Sequence, residues 1–207
     1  LDDVLAPDVM SPALRALLFR AGDALDAVAP VDLRMLKATP LQPGTPIGAT
    51  VGSVATVIGL GALQILVSPV LDRVALPLAT NPPALLVGEG LAKVTNERAR
   101  MFVVVRAMKM ILARASFMLR GQPQEVSGLV AGLFSAFNPG HMPQGVDAKR
   151  VTDLARRIGP ALPRNLDPTV GVIALEAAGM LGAQWSSLAP AAHAWANRVA
   201  LLAIGDP

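Results

Sequence analysis

His141 and His193 are the only imidazoles in the chain, and cysteine is absent. A zinc site draws three or four nitrogen, sulfur or carboxylate ligands to one point. Two histidines far apart in sequence do not supply that set. Without cysteine there is no disulfide, no thiolate metal site and no thiol nucleophile. No serine stands in a Gly-x-Ser-x-Gly elbow. Gly59-Leu60-Gly61 lacks the third glycine and the following helix of a dinucleotide fingerprint, and no Gly-rich phosphate loop with its lysine occurs. The 15 carboxylates are scattered, and none pair at helical spacing in an apolar setting. The residue types that carry common chemistry are therefore sparse, and no cofactor is expected.

The charge is unevenly spread. Residues 1–92 carry 5 basic and 8 acidic groups, residues 93–164 carry 12 and 4, and residues 165–207 carry 1 and 3. The middle third is the electropositive part, where an anionic partner would be drawn. Nucleic acid is disfavoured as that partner, because aromatic residues are 3% of the chain and tyrosine is absent. Hydrophobic residues at 53% against charged residues at 16% exclude intrinsic disorder and indicate a thick core, a partner interface or membrane contact.

The elements that must position any site follow from periodicity. Ser11-Pro12 starts an amphipathic helix that runs to Val28, with Leu14, Leu17, Leu18, Ala21 and Leu25 on one face. Residues 39–71 carry no charge. Five glycines and Gln64 interrupt this stretch, so it reads as a buried helix over Pro46–Ile58 and a strand over Leu63–Ser68, not a membrane span. Strands follow at Val74–Ala79 and Ala84–Gly88, which gives a small three-stranded sheet with at least one antiparallel pair. Thr95 or Asn96 caps a long helix that is expected to reach Arg120 before Gly121. Its circumference is mostly apolar, so it should be central and buried. At about 100° per residue, Arg98, Arg106, Lys109 and Arg120 share one arc, a basic edge open to a partner. Met101, Met108, Met110 and Met118 read as core filler. Further helices are expected over Gln124–Phe137, Asp147–Ile158, from Asp167 to about Leu181, and over Ser187–Ile204. In the second of these, Lys149-Arg150 and Arg156-Arg157 share a face. His141 reads as a loop residue, His193 as a partly buried helical one, and Trp185 and Trp195 as core or surface anchors. The whole is expected to be one α+β domain. With no initiator methionine before Leu1, it reads as a piece of a longer protein.

Over Ala84–Arg114 the chain resembles the membrane-type gluzincin peptidases, the group that includes the CAAX prenyl proteases and the bacterial heat-shock zinc protease. In that family an apolar edge strand leads through an acidic residue to a helix bearing His-Glu-x-x-His. Ala84–Leu91 matches the strand, Glu97 the acidic residue and Ile58–Val70 the preceding strand. At the other end, "HAWANRVALLAIGDP" is similar to the later helix that supplies the third ligand. His193 takes the place of the ligand Glu, and Asn197-Arg198 that of the Asp and its neighbour. The chain is also similar to the peptidase-like domains at the ends of large bacterial tetratricopeptide-repeat proteins. The resemblance implies a zincin-like fold without its metal. The frame Val104-Val105-Arg106-Ala107-Met108, or one shifted a residue either way, holds no His and no Glu, where two His at i and i+4 are needed. A cation there would repel Zn²⁺.

The degenerate motif positions are thus Val104, Val105, Met108, His193 and Asn197. The implied function is a non-catalytic, cytoplasmic scaffold or protein-interaction module within a larger bacterial protein. Its partner would be another protein or another part of its own longer chain. Two alternatives stand beside it: an enzyme of unrecognised chemistry using a pocket near His193, and a membrane-associated module inserted through Ile47–Val70.

Overall fold

The computed structural model describes residues 2–140, 143 and 145–205. In chain order the elements are α1 (Asp2–Leu5), α2 (Pro12–Val28), β1 (Thr39–Pro40), α3 (Pro46–Val57), β2 (Gln64–Ser68), β3 (Ala75–Leu78), β4 (Ala84–Gly88) and α4 (Glu89–Ala92). They continue with α5 (Glu97–Leu112), α6 (Pro123–Phe137), α7 (Ala148–Ile158), α8 (Val170–Leu181) and α9 (Leu188–Ala203). Short 3-10 turns lie at Ser116–Leu119, Gly159–Ala161 and Trp185–Ser187. The chain is α+β, mostly helical, with one small mixed sheet. It divides into two compact units: Leu1–Pro30 with Ala113–Trp195, and Val31–Leu112 with Ala196–Pro207.

The sheet unit (31–112 and 196–207) is built on β4. The sheet has four strands in the order β1-β2-β4-β3. β2 and β4 are parallel, with Leu66 opposite Leu86, while β3 runs antiparallel to β4, with Leu76 opposite Leu86. Every residue of β4 is buried. Leu85 and Val87 face a layer made by Ile47, Val51 and Val54 of α3, Val104, Ala107 and Met108 of α5, and Ala200 of α9. Ala84 and Leu86 face the other way, with Leu66 and Leu78, onto Val31, Leu33, Leu36 and Leu71. A strand covered on both faces reads as a continuous apolar run, and "ALLVG" does so. At the end of the sheet, Gly88 N–H donates to Val74 C=O at 2.8 Å. By strand alternation Leu76 and Leu78 also turn their backbone groups to β4, and Ala75 and Pro77 turn theirs away. Pro77 thus puts its missing donor on the outer edge, a protection against unwanted strand pairing.

Three expectations change here. The sheet gains a fourth strand, because Leu41 N–H donates to Ile65 C=O at 3.0 Å and draws Thr39–Pro40 alongside β2. Two residues ending in proline carry no periodic signal. The strand that resembles the peptidase edge strand is not an edge: the β3–β4 hairpin folds back and leaves β4 between β2 and β3. The long helix is capped by Asn96, whose Oδ1 accepts from Ala99 N–H at 3.1 Å, but it stops at Leu112, not Arg120. The uncharged stretch 39–71 becomes the 12-residue α3 and the short β2, and among the described residues no helix is long and apolar enough to cross a membrane.

The helical unit (1–30 and 113–195) opens with the reason that helix stops. Arg114 adopts φ 50°, a left-handed conformation that ends a helix. Its guanidinium reaches Asp23 at 3.1 Å and lies 5.1 Å from the Phe19 ring centre. Its carbonyl oxygen presses on α2 at Gly22, where a Cβ would stand only 1.8 Å away. In this unit α2 packs on α7 and α8, and α6 packs on α7 and α8. The approach of α6 to α7 is close because Gly132 faces Leu154, whose Cβ would be 2.7 Å from any Cβ added there. Ser11 caps α2 through Leu14 N–H at 3.2 Å, and Asp147 caps α7 through Lys149 N–H at 2.9 Å. Both tryptophans are core residues. Trp185 meets Phe134 edge-on at 5.5 Å and donates Nε1–H to Gly182 C=O at 2.8 Å, while Trp195 is 2% exposed with the Arg15 guanidinium 5.8 Å from its ring.

Candidate functional site

The positions that the resemblance would assign to metal ligands lie on α5 and α9. Val104 and Met108 are wholly buried and Val105 nearly so, packed with Leu85, Val87 and Ala75 of the sheet. One step away, Arg106 turns to α9, and its Nε–H donates to Asn197 Oδ1 at 2.8 Å. Burial holds the Arg106 guanidinium below its ordinary pKa, since the charged form loses hydration. These residues do not fit zinc. Two valines offer no lone pair, a buried thioether is a weak donor, and the adjacent group is a cation. Among the described residues no three His, Cys, Asp or Glu side chains gather as a metal-holding group.

The chain matches no family model, no curated protein and no solved structure.

Of the five degenerate motif positions, Val104, Val105, Met108 and Asn197 lie in the sheet unit, and His193 lies in the helical unit. His193 is half-buried on α9 and has an interaction partner. His141 lies outside the described residues. The four residues of the expected basic edge do not lie on one helix, because α5 ends at Leu112. Arg98 is exposed at the start of α5, and Lys109 is half-buried and engaged. Arg106 is bound by Asn197, and Arg120 belongs to the other unit. The arc assumed a helix running through residue 120, and the Arg114 corner breaks that geometry. Met108, Met110 and Met118 are wholly buried and Met101 is half-buried, so these methionines fill core space.

Concave surface is found elsewhere. A cavity of about 350 Å³ is bounded by Leu41, Gln42, Pro43, Gly44, Leu63 and Ile65 beside β1 and β2. Another of about 340 Å³ lies on α7 among Asp147, Lys149, Arg150, Asp153 and Arg157. The cations of α7 are partly spent: Arg157 Nη2–H donates to Val28 C=O at 2.6 Å, and Arg156, outside the cavity lining, pairs with Asp153 at 3.4 Å.

The group that sequence reasoning missed is Asp26. It lies on the buried face of α2, with its side chain 4% exposed, and it pairs with Arg120, whose side chain is 10% exposed. Only one carboxylate oxygen is used. Asp26 Oδ2 and Arg120 Nε have no hydrogen-bond partner. Burial raises the Asp26 pKa from 3.8 to about 7, outweighing the Arg120 charge that pulls it down, and Asp23 adds repulsion. The Arg120 pKa is lowered, again first by burial. A signal was present in the sequence: position 26 is eight residues from Leu18 and four from Gly22, so it lies on the same helical stripe as the core leucines.

The Arg106–Asn197 bond gives a direct test of how α9 is held in the sheet unit. Asn197→Ala removes an acceptor from a half-buried guanidinium and is expected to cost about 1–2 kcal/mol. Urea unfolding followed by circular dichroism measures it. An unchanged midpoint would show that the bond contributes nothing.

Proposed function

We propose that this chain is a non-catalytic, peptidase-like module that serves as a scaffold or protein-interaction domain within a larger bacterial protein of the cytoplasm. The observation that carries the reading is the filling of the 104–108 frame. Where a zinc peptidase of the resembled kind sets two histidines and a glutamate, this chain sets Val104, Val105 and Met108 in the core. Arg106 then takes up the space toward Asn197. The arrangement around the frame also supports the zincin-like reading. A mixed sheet packs on α5, and the C-terminal turns of α9 lie against the same core through Val199 and Ala200. The interior place of β4 departs from the family pattern and counts against the likeness.

A scaffold needs a rigid core more than a reactive one. Apolar side chains in place of ligands add roughly 1.5–3 kcal/mol each when fully buried, whereas an unoccupied cluster of polar ligands would cost stability. Incubation of the purified chain with Zn²⁺ and a generic peptide substrate, followed by chromatography of the products, is expected to give no metal-dependent cleavage. Calorimetric titration with Zn²⁺ alone is expected to give no stoichiometric heat. Turnover that a chelator abolishes would overturn the reading.

A further inference from the structure

α8 carries an apolar stripe on the side that faces water. Val172 is 67% exposed, Leu175 51% and Met180 55%. Glu176 and Gly179 are exposed beside them. At about 100° per residue these five fall within an arc of about 140°, opposite the face on which Val170, Ala174, Ala177 and Leu181 are buried. Three large apolar side chains in one arc are a different matter from single exposed ones, which are ordinary. Gly179 keeps the middle of the stripe low, so another backbone can come close there. Glu176 is the one charge on the stripe, and it forms no ion pair with any described residue.

The size and charge of the stripe decide what fits it. A helix of 12 residues is about 18 Å long and, side chains included, about 10 Å wide. One face of it offers a few hundred Å² at most, against roughly 800 Å² per partner in a stable interface. The contact is therefore a small one, and charge disfavours a second copy of the chain as its occupant. Glu176 is the seventh of the twelve residues, so a two-fold antiparallel pairing would set the two Glu176 carboxylates against each other at its centre. A single partner helix matches the length, and a cation in its stripe matches Glu176.

We propose that the outer face of α8 docks one amphipathic helix of another protein, which carries a Lys or Arg within its apolar stripe. Docking of this kind is read through anchors at i, i+3, i+4 and i+7. Val172, Leu175, Gly179 and Met180, at i, i+3, i+7 and i+8, with Glu176 at i+4, line the stripe that would receive them. The inference concerns residues 172–180 and stands whether or not residues 104–108 descend from a metal site.

The test uses the full chain and two labelled amphipathic peptides of about eighteen residues, identical except for Lys or Glu at one position inside a leucine stripe. Fluorescence anisotropy is expected to show the Lys peptide binding at least about tenfold more tightly, with the difference shrinking in high salt. Glu176→Lys should invert the preference. Leu175→Asp and, separately, Val172→Asp should abolish binding while leaving the circular dichroism unchanged, since both positions are exposed. The proposal is overturned if neither peptide binds, if Glu176→Lys leaves the preference as it was, or if the Asp variants bind as well as the wild type. It is also overturned if light scattering shows a dimer that Leu175→Asp dissolves, or if uncharged phosphatidylcholine vesicles take up the wild type and not Leu175→Asp. Zinc-dependent peptide cleavage, which would sink the reading of α5, touches none of these outcomes.

Discussion

Raising the pH from about 5 to about 8 is expected to weaken the helical unit, and Asp26→Asn to remove that dependence. Asp26 holds its proton to about pH 7 in the folded chain against 3.8 as its ordinary value. Between these values the folded state binds more protons than the unfolded state, so stability falls as pH rises. The contribution is complete below the unfolded value and is lost as pH passes through about 7. Each unit of difference is worth about 1.4 kcal/mol. The physical cause is the cost of ionising a carboxyl that has almost no water and one oxygen without a hydrogen-bond partner, a cost that the Arg120 charge and the Phe117 backbone N–H do not offset. Arg120→Met sharpens the result. At pH 8 it leaves the carboxylate buried without its cation and should cost about 3–5 kcal/mol. At pH 5 the carboxyl is neutral and the cost should be much smaller. Both tryptophans, Trp185 and Trp195, lie in the same unit as Asp26, so their fluorescence during urea unfolding reports on this unit. Parallel pH profiles for the wild type and Asp26→Asn would remove Asp26 as the source.

Gly22→Ala is expected to destabilise by about 3 kcal/mol or more, against the direction that helix propensity predicts. Inside a helix, glycine to alanine normally gains about 1 kcal/mol. Here the added Cβ would stand 1.8 Å from the Arg114 carbonyl oxygen. That oxygen is backbone, and Arg114 is held at both ends, by its left-handed φ and by its pairing with Asp23. Neither side can yield without moving α2 or the 113–115 corner, which places the cost at or above the usual range for overpacking. Gly179→Ala on α8 is the control, since nothing lies within 4 Å of the added atom. It should be neutral or stabilising by up to about 1 kcal/mol. A Gly22→Ala protein as stable as the wild type would show that the corner does not press on α2.

Local chemistry made much of the fold legible. Ser11-Pro12, the Asn96 side chain and Asp147 mark helix starts because a side-chain oxygen before the first turn satisfies orphan N–H groups. The "ALLVG" run reads as a covered strand because both of its faces must be apolar. Methionines at helical spacing read as core for the same reason of burial. The identity of the side chains at 104–108 also belongs to the sequence: no folding can make a metal ligand of valine.

What the tertiary structure decided were the long-range contacts that override or complete local preference. Nothing in "MILARASF" predicts a helix end, because the left-handed residue is an arginine, and Gly22 and Asp23, about ninety positions earlier, hold it there. For that reason Arg120 left the arc drawn for it and became the partner of Asp26. β1 exists because β2 offers a free edge, and β4 is interior because its hairpin folds back on it. Whether a cation on a helix is an open edge or a spent bond depends on which acceptor another part of the chain brings to it. Asn197 and Asp26 settle that for Arg106 and Arg120, and only the folded chain puts them there.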